Sequence, residues 1–226
     1  VAVLRSRGIT VLDPAVGRLT GQDSGPGRLP EPQELADMCM AVLSHSRKDL
    51  RGRSVLISAG GTREAIDPVR FIGNRSSGKQ GYALATAAIA RGADVTIVSA
   101  NVTLAAPAGS AVVEVESTEE LRHALLERCA DADIVIMAAA VADFRPRATA
   151  LHKIKKSDES ADPVIELERT PDILAELVLG RDGQSRPIIV GFAAETGDET
   201  ASVREHGWAK LVRKGCDLLV VNDVSD

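Results

Sequence analysis

From Arg53 onward, short apolar runs rich in β-branched residues alternate with amphipathic segments. The pattern predicts strands at Val55–Ser58, Asp94–Ser99, Val112–Val115, Ile134–Ala138, Pro187–Gly191 and Asp217–Val221. Helical spacing falls at Lys79–Arg91, Thr118–Ala130, Pro171–Leu179 and Thr200–Lys214. The run Asp133-Ile-Val-Ile-Met-Ala138 is apolar without alternation. Strands of that kind are buried on both faces, which implies a mostly parallel sheet between helices. The expected class is α/β, a Rossmann-like doubly wound sheet with helices on both faces.

The first fifty residues differ. Val11-Leu-Asp-Pro14 reads as a strand end, and Gly17 to Pro32 is rich in Gly and Pro and reads as loop. Glu34 to Ser44 has helical spacing, through Leu35, Met38, Cys39, Val42 and Leu43. Arg47 to Arg53 is a charged linker, so a boundary is expected near Asp49, separating residues 1–50 from 51–226. Val1 in place of Met, with a half-finished pattern behind it, reads as a piece of a longer protein.

Composition narrows the function. Aromatics are scarce, so Ala, Val, Leu and Ile must fill the core. A net charge of −5 offers no general basic field for nucleic acid, although local basic residues can bind a small polyanion. No run is long and apolar enough to span a bilayer, so no membrane partner is expected. Cys39, Cys129 and Cys216 are odd in number and far apart, fitting packed thiols in a reduced, cytoplasmic protein.

Ligands of such sheets bind beyond the carboxyl ends of the strands. The residues there are Ala59-Gly-Gly-Thr62, Ser99-Ala-Asn101, Ala138-Ala-Ala-Val-Ala-Asp143, Gly191-Phe-Ala-Ala-Glu-Thr196 and Asn222-Asp223. Gly73 to Lys79 matches the first seven positions of a P-loop, but Gln80 stands where a Ser or Thr would hold magnesium. The segment lies well beyond its strand, so it reads as an anion cradle rather than a P-loop ATPase. Ser76, Ser77, Gly78 and Lys79 at this helix start form a candidate phosphate site. Ordinary Ser capping, with Gly81 allowing close helix–sheet packing, stays open beside it. Asp143 reads either as a ligand for ribose or magnesium–phosphate, or as a turn residue. His152-Lys-Ile-Lys-Lys156 lies in a long connection from Asp143 to Thr170, where a binding lid and a solvated charge run are both open. Lys210 and Lys214 share a helix face near its C-terminus, which the dipole alone favours. His45, His123 and His206 read as surface residues, and Trp208 as packing.

Ala59-Gly-Gly-Thr-Arg-Glu64, Asp67-Pro-Val-Arg70, Asn74-Arg-Ser-Ser-Gly-Lys79, Ala138 to Asp143, Lys153-Ile-Lys-Lys156, Thr170-Pro-Asp172, Gly191 to Thr196 and Asn222-Asp-Val224 occur in that order. Together they resemble the phosphopantothenoylcysteine synthetases, the second half of the bacterial bifunctional coenzyme A biosynthesis protein. The resemblance covers Arg53 to the end. It implies a dimer that uses CTP with magnesium to join 4′-phosphopantothenate to L-cysteine through an acyl-cytidylate, releasing pyrophosphate and CMP. It also implies CTP contacts at Met137, Ala138, Ala139, Asp143, Lys153, Pro171, Asp172, Ile173, Leu174, Phe192, Lys210 and Lys214. Asp143 would hold magnesium together with the CTP phosphates. Asn74 corresponds to an asparagine tied to the intermediate, and Lys153 to a lysine needed for catalysis. Asp23-Ser-Gly-Pro-Gly-Arg28 resembles the end of the fused FMN-dependent decarboxylase, whose parent forms a larger homo-oligomer. Gly21 stands where that family commonly has Cys, and nearly all of the flavodoxin-like domain is absent, so FMN binding and decarboxylation are not expected of this chain alone.

Two other classes fit the fold. A dinucleotide-dependent oxidoreductase would need G-x-G-x-x-G after the first strand and an acidic residue ending the second, and neither is present. A non-catalytic nucleotide-binding module is the other.

Overall fold

The structure, a computed structural model, describes residues 48–155, 163–195 and 202–224, together with 1–7, 9, 11, 14–18, 24–30, 32, 35, 36 and 39. Contacts divide the chain into two units, Val1–Asp49 and Leu50–Asp226. The described part of the first unit holds helix α1 (Ala2–Ser6) and an antiparallel ribbon of β1 (Ala15–Arg18) and β2 (Ser24–Arg28). Residues 17–18 and 24–28 of the Gly/Pro stretch expected to be loop therefore pair as strands, with a bulge between Ala15 and Val16. Most of the predicted Glu34–Ser44 helix lies outside the described residues.

The second unit is built on β3 (Ser54–Gly60), β6 (Asp94–Ala100), β7 (Ser110–Val115), β8 (Ile134–Met137), β11 (Ile188–Glu195) and β12 (Leu218–Asp223). All pair in parallel, in the order β12-β11-β8-β3-β6-β7. Numbered along the chain, the sheet reads 3-2-1-4-5-6, the Rossmann arrangement, and its order reverses between β3 and β8. Helix α2 (Lys79–Ala90) packs on β3 and β6 from one side. Helices α3 (Thr118–Cys129), α4 (Ile173–Gly180) and α5 (Val203–Lys214) follow the other strands.

Helices cover the sheet on both faces as expected, and the two cores between them are almost wholly aliphatic. Val55, Ile57, Ala59, Val95 and Ile97 meet Tyr82, Ala85 and Ala88 of α2. Leu56, Val98, Val135 and Ile189 meet Leu121 and Leu125 of α3 and Ile173 and Leu177 of α4. Farther along the α2 side of the sheet, Ile188, Leu218 and Val220 stay 41, 57 and 37 % exposed.

Several boundaries differ from the sequence pattern. Strand β11 runs on to Glu195, so Gly191 to Glu195, expected after a strand, lies within one, and Asn222-Asp223 lies within β12. Two antiparallel ribbons were not foreseen: β4 (Arg63–Ala65) with β5 (Phe71–Gly73), and β9 (Phe144–Pro146) with β10 (Leu167–Arg169). The second closes the ends of the long connection after Asp143. Helix α5 opens on a capping box between Ser202 and Glu205, and predicted residues Thr200 and Ala201 lie outside the described ones. Trp208, expected to pack, is 69 % exposed. Cys216 is buried, but Cys129 is half-buried and Cys39 exposed, so only one thiol is fully packed. Burial pushes the Cys216 thiol above its ordinary range. Among the described residues no helix is long and apolar enough to cross a membrane.

Candidate functional site

A cavity of about 650 Å³ opens beyond β8 and β11, beside the point where the strand order reverses. One wall is the chain from Met137 to Phe144; facing it are Arg169 to Leu174, Phe192 to Ala194, Leu219, and the ammonium groups of Lys210 and Lys214.

The first wall is fixed by its neighbours at β3. The Ser58 hydroxyl accepts from the Ala139 N–H at 3.1 Å. The Ala140 N–H donates to the Gly60 carbonyl at 2.8 Å, and the Thr62 N–H returns to the Ala140 carbonyl at 3.2 Å. Gly60 makes the turn possible: its φ is +88°, and a Cβ there would lie 2.0 Å from the Ala100 carbonyl oxygen. Asn74 reaches across the switch point, its amide donating to the Val141 carbonyl at 2.8 Å. On the far side the Thr170 hydroxyl donates to the Ala142 carbonyl at 2.5 Å, and the Thr170 N–H to the Asp143 carbonyl at 3.0 Å. The N–H groups of Ala139 and Ala140 are thus engaged inside the protein, as is that of Ala142, which donates to Thr62 Oγ1. This wall supplies shape, and positive charge comes from Arg169, Lys210 and Lys214.

Each lysine is held by a carboxylate. Lys210 Nζ lies 2.7 Å from Glu195 Oε1. Lys214 pairs with Asp172, whose other oxygen caps α4 by accepting from the Ala175 N–H at 3.2 Å. Burial raises the Asp172 carboxyl pKa, but Lys214 and the cap bond outweigh it and hold the group below its ordinary value. Both ammonium groups are pre-positioned, so a phosphate entering the cavity meets oriented donors.

Of the residues predicted to bind nucleotide, the cavity is lined by Met137, Ala139, Asp143, Pro171, Asp172, Ile173, Leu174, Phe192, Lys210 and Lys214, with Asn74 alongside. Ala138 lies within the same wall but does not line the cavity. Lys153 is exposed and outside the lining, on a segment tied to the β4–β5 turn. There Asp67 accepts from the N–H groups of Val69 and Arg70 at 2.9 Å, from Ile154 at 3.1 Å and from the Arg70 guanidinium. Arg70 also donates to the Ile154 carbonyl at 2.9 Å. Led by the Arg70 guanidinium, these bonds hold the Asp67 carboxyl far below the usual carboxylate range. Lys156 lies outside the described residues.

Ser76, Ser77, Gly78 and Lys79 do not line the cavity either. Ser does not cap α2: the capping position is Gly78, at φ +77°, with no side-chain cap. The expected close packing by Gly81 is present, since a Cβ there would come within 2.6 Å of the Ala59 Cβ. Arg169, Thr170 and Leu219 were not anticipated in the lining; Thr170 stood in a quoted motif without a role, and Leu219 sits inside a strand.

A second cavity, of about 360 Å³, lies beyond β6 and β7 against Glu114, Glu116 and Glu120, a poor environment for a polyanion. The residue following β6 is Asn101, whose amide is used on the carbonyls of Gly61 and Glu116, so the position of the acidic ribose ligand of dinucleotide enzymes holds an engaged amide.

Residues 50–226 match the model of the DNA/pantothenate metabolism flavoprotein C-terminal domain. The chain belongs to that family. It is 54 % identical over 233 residues to the coenzyme A biosynthesis bifunctional protein CoaBC of Mycobacterium tuberculosis, covering 100 % of this chain and 56 % of that protein. The CoaBC of Vibrio vulnificus is 45 % identical over 225 residues, covering 100 % and 54 %. The chain thus spans about half the length of the curated relatives it matches. Among solved structures, the C-terminal domain of a CoaBC superposes with a TM-score of 0.65 at 41 % identity, over 78 % of this chain and 80 % of that one. A Cab2 variant in complex with phosphopantothenate-cysteine superposes at 0.61 over 85 % and 80 %; at 19 % identity this shows a shared fold.

Proposed function

We propose that residues 51–226 carry a phosphopantothenate–cysteine ligase of coenzyme A biosynthesis that activates its substrate with CTP. The carboxylate of 4′-phosphopantothenate attacks the α-phosphorus of CTP, and pyrophosphate leaves. The amine of L-cysteine then attacks the acyl-cytidylate, giving the amide and CMP. The carrying observation is the cavity itself: a close-packed backbone wall at the switch point, opposite two oriented lysines, in a chain 54 % identical to a coenzyme A biosynthesis protein.

The residues have distinct tasks in this reading. Lys210 and Lys214 draw in and orient the triphosphate. Phe192 and Leu174 give the base an apolar wall. Asn74, already holding the Val141 carbonyl, sits where the activated acyl group would lie. Lys153 stabilises charge on the α-phosphate as pyrophosphate departs, brought in by its segment. Magnesium held by little protein and much phosphate fits the residues present: Asp143 is an exposed carboxylate in the wall, and no group of three potential ligands occurs among the described residues. When bound, the ion would neutralise triphosphate charge.

Exposed Phe71, Phe144 and Leu167 on the two ribbons support assembly as a homodimer. We read Val1–Asp49 as the end of the fused decarboxylase. Its described residues include a five-residue helix and a two-stranded ribbon, and no step is assigned to FMN.

The test is pyrophosphate release from CTP, 4′-phosphopantothenate and L-cysteine, by this chain and by the longer protein containing it. Release that requires both acceptor substrates is expected. No release from the longer protein would overturn the ligase reading and favour a nucleotide-binding module.

A further inference from the structure

We infer that Thr62, Thr118 and Glu64 are positioning residues for the nucleotide wall, acting through one hydrogen-bond chain with a fixed direction. All three are buried, at 1, 0 and 6 % exposure, although each is polar. Such groups persist in a core only when satisfied. The Ala142 N–H donates to Thr62 Oγ1 at 2.9 Å. Thr62 Oγ1 lies 3.1 Å from Thr118 Oγ1. Thr118 Oγ1 donates to Glu64 Oε1 at 2.7 Å, and the Thr118 N–H reaches the same oxygen at 2.8 Å.

Proton counting gives the direction. A hydroxyl has one hydrogen. The Thr118 hydrogen goes to Glu64, so in the Thr62–Thr118 bond Thr62 must donate. With its one hydrogen committed to Thr118, Thr62 Oγ1 can only accept from Ala142, and one of its lone pairs takes that N–H. The chain ends on Glu64 of β4, whose carboxylate accepts from Thr118, the first residue of α3, and so also meets the positive end of that helix. It ties a wall of the cavity to a helix that does not line it. The residues it spans, Ala142 and its neighbour Asp143, belong to the wall that the ligase reading assigns to CTP and magnesium, and the inference rests on that reading for its catalytic consequence.

Amide hydrogen exchange and steady-state kinetics separate the two layers. In the full chain, Thr62→Val is expected to speed exchange at Ala142 by at least about tenfold while Ile57 and Ile97 keep their wild-type rates. Thr62→Ser, which keeps the hydroxyl, restores protection to within about threefold. Thr118→Val, which removes the acceptor for Thr62, speeds Ala142 exchange by about threefold and serves if Thr62→Val does not fold. In the longer protein, Thr62→Val raises the KM for CTP by about tenfold with a smaller change in kcat, and Thr62→Ser rescues it. Wild-type exchange at Ala142 in both valine variants would overturn the chain. Faster exchange with an unchanged KM and kcat would overturn the positioning role. Absence of CTP turnover in the wild type would instead remove the ligase reading and leave the exchange result standing.

Discussion

Replacing Gly81 by alanine is expected to destabilise the second unit, although alanine is the better helix former. The exchange favours the helix intrinsically by at most about 0.8–1 kcal/mol, the value for an interior position, since Gly81 stands in the first turn of α2. Against this stands the sheet. A Cβ on Gly81 would lie 2.6 Å from the Ala59 Cβ, 3.2 Å from the Ala59 Cα and 3.2 Å from the Ser58 carbonyl oxygen. Carbon atoms in contact sit about 3.5–4.0 Å apart, so α2 would have to recede by roughly 1 Å. None of these neighbours is the end of a flexible side chain, and Ala59 is fully buried in the central strand. Overpacking of this kind costs about 1–3 kcal/mol, and the rigidity of the partners places it in the upper part of that range. The net expectation is a loss of about 1–2 kcal/mol. Urea unfolding followed by far-UV circular dichroism measures it. Ala87→Gly, on the exposed side of the same helix, should lose about 0.5–1 kcal/mol and calibrates the propensity. A Gly81→Ala protein as stable as the wild type would refute the close approach of helix and sheet.

Three further outcomes test the site and its supports. Lys210→Ala removes a cation from the cavity and leaves Glu195 unpaired; at an effective dielectric of about 20 a unit charge roughly 6 Å away is worth about 3 kcal/mol before screening, so CTP affinity by calorimetry should fall about 10–100-fold and partly recover in Lys210→Ala/Glu195→Gln. Lys153→Ala should slow acyl-cytidylate formation in single-turnover assays while leaving the KM for CTP nearly unchanged; a normal rate would remove Lys153 from the chemistry. Asp67 has a depressed carboxyl pKa, so its stabilisation is fully present above the ordinary value of 3.8 and is lost as pH falls toward the folded-state value. The melting temperature of Asp67→Asn should therefore lie below that of the wild type at neutral pH, with the gap narrowing below pH 3.8. Proteolysis in the segment around Lys153 should quicken in the same variant.

The sheet was legible because its signal is long and repeated. Runs such as Ser54 to Gly60 and Asp94 to Ala100 are buried nearly throughout, and continuous apolarity reports that directly. Strand order was not legible, since no local pattern distinguishes which parallel strands become neighbours. The ribbons were missed because a three-residue strand holds barely one repeat of the two-residue alternation, too little to stand out as a pattern. The extent of β11 past Gly191 was hidden for a different reason. Its small residues suit close approach to a ligand, and Phe192 to Ala194 do line the cavity, but a Cβ on Gly191 would lie 2.9 Å from both Leu174 and Leu219, so that glycine serves packing within β11. At the candidate site, Asp143 and Phe192 stand in the ordered motifs, Lys210 and Lys214 come only with the family resemblance, and all four line the cavity. The roles of Thr62, Glu64 and Thr170 depend on hydrogen bonds to Ala142 and Thr118, distant in sequence, which no spacing rule encodes.

The apolar stripe left along β11 and β12 sets how this chain behaves in a tube. Ile188, Leu218 and Val220 face water from neighbouring parallel strands. Contact between two such stripes releases ordered solvent, a driving force that is entropic near room temperature and weakens on cooling. Solubility should therefore run against temperature: concentrated solutions that are clear in the cold turn cloudy on warming, well below the unfolding transition. Sulfate, which is excluded from the protein surface, should lower that clouding point, and a single Leu218→Lys change should raise it.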